Sequence, residues 1–182
     1  MSFIIDGTNG ETFPDSTTQA TAFTGSASTL TSGTLPVARL PAGSIKQVVT
    51  TSTALNASTS STTYVTTGLS ASITPTSATS KIMIIVSACV GQANYQGDCR
   101  YTVFRGTVAG TNLASGTNAA LNLVYTAINY PAYSNLGINY TDSPATTSAT
   151  TYTVGFLTSS GADTAYFGNN CTTTITLLEI SA

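Results

Sequence analysis

The sequence predicts an all-β protein, on three observations. Threonine and serine number 37 and 22 of the 182 residues, about a third of the chain; threonine, valine, isoleucine and tyrosine suit a pleated, half-buried surface better than a helix. Short apolar-rich runs recur at regular intervals, separated by turn formers at Gly91, Gly106, Gly110, Gly116, Pro131, Pro144, Gly161 and Asn169-Asn170. That spacing suits a sandwich or barrel. No 3.6-residue periodicity lasts beyond a turn. Hydrophobic residues make up 41% and charged residues 7%, so a core is available and the chain is not of the disordered class.

Residues 1–24 place short apolar patches, Phe3-Ile4-Ile5, Phe13 and Phe23, between the turn signals Asp6-Gly7 and Pro14-Asp15. They are too few for a core of their own. Phe3, Ile4, Ile5 and Phe13 are therefore expected to dock on a partner protein. The alternative is an N-terminal strand that completes the sheet of the main domain.

Residues 25–44 carry Leu35-Pro36 and Leu40-Pro41. Proline removes a donor and keeps its predecessor extended, which excludes a helix or a central strand. Leu35, Val37 and Leu40 nonetheless need cover. Three copies of the segment running together as a stalk would supply it; so would a course flat over the chain's own head.

From residue 45 to 182 nine runs read as strands: IKQVVTT, TTYVTT, LSASITP, KIMIIVSACV, CRYTVFR, NLVYTAI, TTYTVGFL, TAYFG and TTTITLLEI. In residues 81–90, Ile82, Ile84, Val86, Ala88 and Val90 line one face, while Met83 and Ile85 make the opposite face apolar as well. A strand of an antiparallel sandwich usually has one wet side. Either the chain covers both faces of this strand, or Met83 and Ile85 pack against other copies. With so few charges on the surface, contact between copies is the preferred expectation.

The runs SITPTSATSKIMIIVSACV, FRGTVAGTNL and the final TTTITLLEISA resemble the C-terminal heads of bacteriophage fibre proteins. TFPDSTTQATA is similar to a segment near the start of such fibres, with Ser16 where glycine is usual, and LTSGTLPVARLPAGSIKQVV is similar to their connector. The resemblance implies a homotrimer with a jelly-roll-like antiparallel β-sandwich head of the C1q and tumour-necrosis-factor type. Its stalk would be residues 25–44 and its virion anchor residues 1–24. The partner of that anchor would be another virion protein, in the tail or the capsid. The chain would be made in the host cytoplasm and end in the virion. A short tail fibre that recognises host surface glycans is the first functional expectation; a capsid-attached head fibre or decoration protein is the alternative.

The residues argue against most other classes. Five Lys and Arg in a chain of net charge −2 cannot make a phosphate-tracking stripe, so nucleic acid is not expected. No run approaches the roughly 18 apolar residues of a membrane helix, and the N-terminus shows no secretory signal. With no histidine, Ser-His-Asp and Cys-His chemistry and histidine metal sites are out, and neither an enzyme nor a cofactor is expected. Asp98 and Asp142 are a remote option for a carboxylate pair. Cys89, Cys99 and Cys171 read as small buried hydrophobes, with a Cys89–Cys99 disulfide possible across a hairpin. Glu179, inside an apolar final strand, is expected at a solvated edge or paired across the trimer with Arg100 or Arg105. The recognition surface is expected in a loop region, residues 125–144, where Tyr125, Tyr130, Tyr133 and Tyr140 accompany Asn135, Asn139 and Asp142. Tyrosine gives rigid amphipathic area and asparagine adaptable hydrogen bonds; the same tyrosines would also serve as packing.

Overall fold

The computed structural model describes residues 5–6, 10–12, 18–19, 40–94, 97–114, 120–124 and 132–182. The chain divides into two units, Met1–Pro36 and Val37–Ala182. In the first, strands β1 (Ile5–Asp6), β2 (Gly10–Thr12) and β3 (Thr18–Gln19) pair antiparallel in that order. Of the expected anchor, Phe3, Ile4 and Phe13 lie outside the described residues and Ile5 lies on β1. Leu35 and Val37 of the expected stalk also lie outside them.

The second unit is a β-sandwich of two antiparallel sheets, with no helix among the described residues. Its strands are β4 (Ile45–Ala54), β5 (Ala57–Thr59), β6 (Val65–Ile73), β7 (Lys81–Gln92), β8 (Cys99–Arg105), β9 (Thr111–Asn112), β10 (Asn122–Val124), β11 (Ala132–Asp142), β12 (Thr150–Thr158), β13 (Ala165–Phe167) and β14 (Thr172–Ile180). The first sheet runs β4–β14–β7–β11. Because β11 occupies one whole edge of β7, β13 and β14 share the other, and β5 continues the line of β4 beside β13. The second sheet runs β10–β8–β12–β6, with β9 on the free end of β8.

Between the sheets lies the core: Leu69, Ile73, Ile82, Ile84, Val86, Val90, Tyr101, Val103, Leu136, Ile138, Tyr152, Phe156, Phe167, Ile175 and Leu177, all at most 2% exposed. Even-numbered residues of β7 point inward, as the sequence pattern requires. Tyr101 spends its hydroxyl on the backbone oxygens of Gly91 and Tyr166, so a large ring is buried without an orphaned donor.

Two expectations about strands need correction. TTYVTT and LSASITP form one strand, β6, rather than two. Gly68 sits inside it at φ +89, opposite the point where the pairing with β12 slips between Thr153 and Gly155. There the Thr67 hydroxyl donates to the Val154 carbonyl and accepts from Leu69 N–H, replacing the ladder that the bulge removes. The second correction concerns residues 132–142, expected as loop. They form an eleven-residue strand paired with β7 along its length.

The end of the expected stalk is tied to its own unit. Gly43 N–H donates to Ser181 O, Ser181 N–H to Ser44 O, and the Ser181 hydroxyl to Pro41 O. Leu40 is half-buried there.

Candidate functional site

The outer face of the first sheet is the surface that the sequence singled out, and its register shows how large that surface is. Alternation along β7 turns Met83 and Ile85 away from the core, where both are half-buried. Cross-strand pairing extends them into rows: Val48, Leu178, Met83 and Thr141 in one, and Thr50, Thr176, Ile85 and Asn139 in the next. Ile45 and Ile180 pair just beyond. Val48 is 57% exposed and Ile45 52%. One end of the face is thus an aliphatic patch of Ile45, Val48, Met83, Ile85, Leu178 and Ile180.

Further along, the same face turns polar. Thr50 and Thr176 hydroxyls lie 3.2 Å apart, and Ser52 and Thr174 hydroxyls 3.0 Å. Such cross-strand hydroxyl pairs stabilise a solvated sheet surface. Apolar and polar ends therefore share one sheet, which is why composition alone does not reveal the patch.

Of the seven expected recognition residues, Tyr125 and Tyr130 lie outside the described residues. Tyr133, Asn135 and Asn139 are exposed on the outer face of β11. The Tyr133 ring lies over Gly91, where an added Cβ would come within 2.5 Å of it, and its centroid is 6.0 Å from that of Tyr166. Beside it an open cleft of about 340 Å³ is lined by Asn122, Leu123, Val124, Ala132, Tyr133, Ser134 and Asn135. No charged side chain is among them.

Tyr140 and Asp142 point the other way, toward the space between the sheets. Asp142 is 5% exposed and takes a two-pronged hydrogen bond from Arg105, at 2.8 Å from Nε and 2.5 Å from a terminal nitrogen. It also accepts the Tyr152 hydroxyl at 2.7 Å. Burial, then the bond to Asp142, raises the Tyr152 pKa. Asp142 thus joins β11 to β8 and β12, and its placement corrects its expected role as a recognition residue. Asp98 pairs with Arg100 instead, at 2.8 Å, so the two carboxylates serve separate ion pairs. Among the described residues, no three Cys, Asp or Glu side chains converge as a metal site would need.

Glu179 also departs from its expected place. It is fully buried on the inner face of β14, where it accepts Gln47 Nε2 at 2.6 Å, Thr76 N–H at 2.8 Å and the Thr76 hydroxyl at 2.7 Å. Burial works against its charge, but the neighbouring Ser80, Gln47 and Thr76 donors outweigh burial and hold the pKa at about 2. Its partners come from its own chain and carry no charge. A third buried carboxylate, Asp163, accepts Gln92 Nε2, Asn94 N–H and Thr164 N–H. Of the cysteines only Cys99 is buried; Cys89 is half-buried on the outer face and Cys171 is exposed.

No protein-family model matches the chain, and no curated protein matches it. Among solved structures, a chain from the structure of infectious bursal disease virus, Gx strain, aligns with a TM-score of 0.37 and 16% identity. The match covers 75% of this chain and 37% of that one. A likeness of that degree adds nothing to the topology read from the strand pairings.

Proposed function

We propose that this chain is a structural protein of a bacteriophage virion. In this reading it is a short trimeric tail fibre, anchored through residues 1–24, whose sandwich head meets glycans on the host surface, and it has no catalytic role. The observation that carries the reading is the aliphatic patch of Ile45, Val48, Met83, Ile85, Leu178 and Ile180 on the outer face of the first sheet. A monomer gains nothing by leaving it wet, whereas contact with a second and third copy removes it from water.

Two further features support the reading. Chain order places β4, β7, β11 and β14 in one sheet and β6, β8, β10 and β12 in the other. This is the arrangement of a jelly roll, which virion proteins use. The fibre-like runs identified in the sequence also fall on structural joints. SITPTSATSK covers the turn that Glu179 holds, FRGTVAG covers the β8–β9 turn, and TTTITLLEI is β14. At the edge of the head, Tyr133, Asn135 and the adjoining uncharged cleft offer a ring to a sugar face and amides to its hydroxyls.

Quantitative mass spectrometry of purified particles tests the reading. The chain is expected in the particle, in multiples set by tail symmetry. Copies in the numbers of the capsid lattice would move the anchor to the capsid, and absence from the particle would overturn the reading.

A further inference from the structure

We propose that Cys89 and Cys171 form an intrachain disulfide when the folded protein meets an oxidant of the small-molecule disulfide class. The Gly168–Cys171 turn lies at the edge of β7 beside Cys89, in the gap between β13, whose pairing ends at Val90, and β14, whose pairing begins at Ser87. Gly168 N–H donates to the Cys89 carbonyl at 2.8 Å, and Cys171 N–H donates back to the Gly168 carbonyl at 2.6 Å. Asn169 and Asn170 both take left-handed φ values, +41 and +61, which asparagine tolerates better than most residues. This tight turn brings Cys171 back toward the strand edge at Cys89, and Cys171 is the neighbour that, after burial, raises the Cys89 thiol. A disulfide requires the sulfurs to close to about 2.05 Å. Cys171 is exposed, so its side chain is free to rotate into that position without disturbing the core.

Cys99, the partner that sequence spacing offered, is unsuited. It is fully buried on β8, in the opposite sheet, and burial pushes its thiol up to about 12.

The chemistry balances with oxidised glutathione as the oxidant. The Cys171 thiolate attacks one glutathione sulfur, forming a mixed disulfide and releasing a glutathione thiolate. Cys89 then loses its proton and attacks the Cys171 sulfur, releasing the second. Two cysteine thiols are oxidised, one glutathione disulfide is reduced, and the two protons end on two glutathione thiols. In a reducing cytoplasm the pair stays open; in an oxidising medium it closes, fastening β7 to the residue that precedes β14.

The test uses the full chain, incubated with oxidised glutathione, alkylated and cut with chymotrypsin. Cleavage after Tyr95 separates Cys89 from Cys99. The expected product is one Cys89 peptide linked to one Cys171 peptide, lighter by two hydrogens than their sum, with Cys99 alkylated only after unfolding. The oxidised chain should melt several degrees higher, and a reductant should reverse the gain. Cys171→Ser should abolish the link while leaving the melting temperature under reducing conditions unchanged. Three results would each overturn the proposal: both thiols remaining alkylatable, a mixed disulfide stable at Cys171, or copies joined to one another through Cys171.

Discussion

Glu179 shows what a single side chain can decide in this fold. Its pKa falls from 4.5 to about 2 on folding, so its charged form stabilises the native state above pH 4.5. That contribution is lost as the pH drops through the folded value. At about 1.4 kcal/mol per unit, the shift represents on the order of 3 kcal/mol. Wild-type stability is therefore expected to decline between about pH 4.5 and pH 2. Glu179→Gln, whose amide would face the Gln47 and Thr76 donors, should be less stable at neutral pH and show a flatter acid limb. Denaturant titrations at stepped pH measure both effects. Asp142 is a parallel case. Asp142→Ala leaves the Tyr152 hydroxyl without its acceptor and removes the partner of the part-exposed Arg105 guanidinium, at a cost of about 1–3 kcal/mol. A melting temperature equal to wild type would show that the ion pair contributes nothing.

At the scale of elements, two glycines separate necessity from convenience. Gly168 stands at φ +89, and a Cβ there would lie 2.2 Å from the Leu55 carbonyl oxygen. Gly137 on β11 has an ordinary φ and open space around the added atom. Gly168→Ala is expected to cost more than about 2 kcal/mol, combining backbone strain with a clash against main chain. Gly137→Ala should stay within about 0.5 kcal/mol of wild type or stabilise slightly. Chemical denaturation of both variants checks the contrast.

The same physics explains which elements were legible in the sequence. β7, β8 and β14 announce themselves through β-branched or aromatic residues at period two, bounded by turn formers, and their limits follow the pattern closely. β11 does not. Its outward positions are Tyr133, Asn135, Gly137, Asn139 and Thr141, and asparagine and glycine are poor strand formers that read as loop. Only Leu136, Ile138 and Tyr140 mark its inner face, and pairing with β7 overrides the local preference. Glu179 was hard to place for another reason: its partners, Gln47 and Thr76, are 132 and 103 residues away. Met83 and Ile85 were legible as an unusual outer face. The contribution of Val48 and Leu178 required the register.

At the scale of the molecule, the account turns on whether the aliphatic face is covered by other copies of the chain. Met83→Glu places a charge in the middle of that face, where a dry contact would make it cost several kcal/mol. Thr107→Glu places one on an exposed turn. Met83→Glu should therefore lower the melting temperature of the assembly well below that of Thr107→Glu at matched concentration. Removal of residues 1–24 should leave a soluble, folded and still trimeric head, since the core cluster of the described residues is drawn from the second unit. The most direct measurement is sedimentation equilibrium of the full chain at micromolar concentration. The account predicts a single species of three times the 18.5 kDa chain mass, reduced toward monomer by Met83→Glu. A stable folded monomer, with the patch of Val48, Met83 and Leu178 in water, would contradict it.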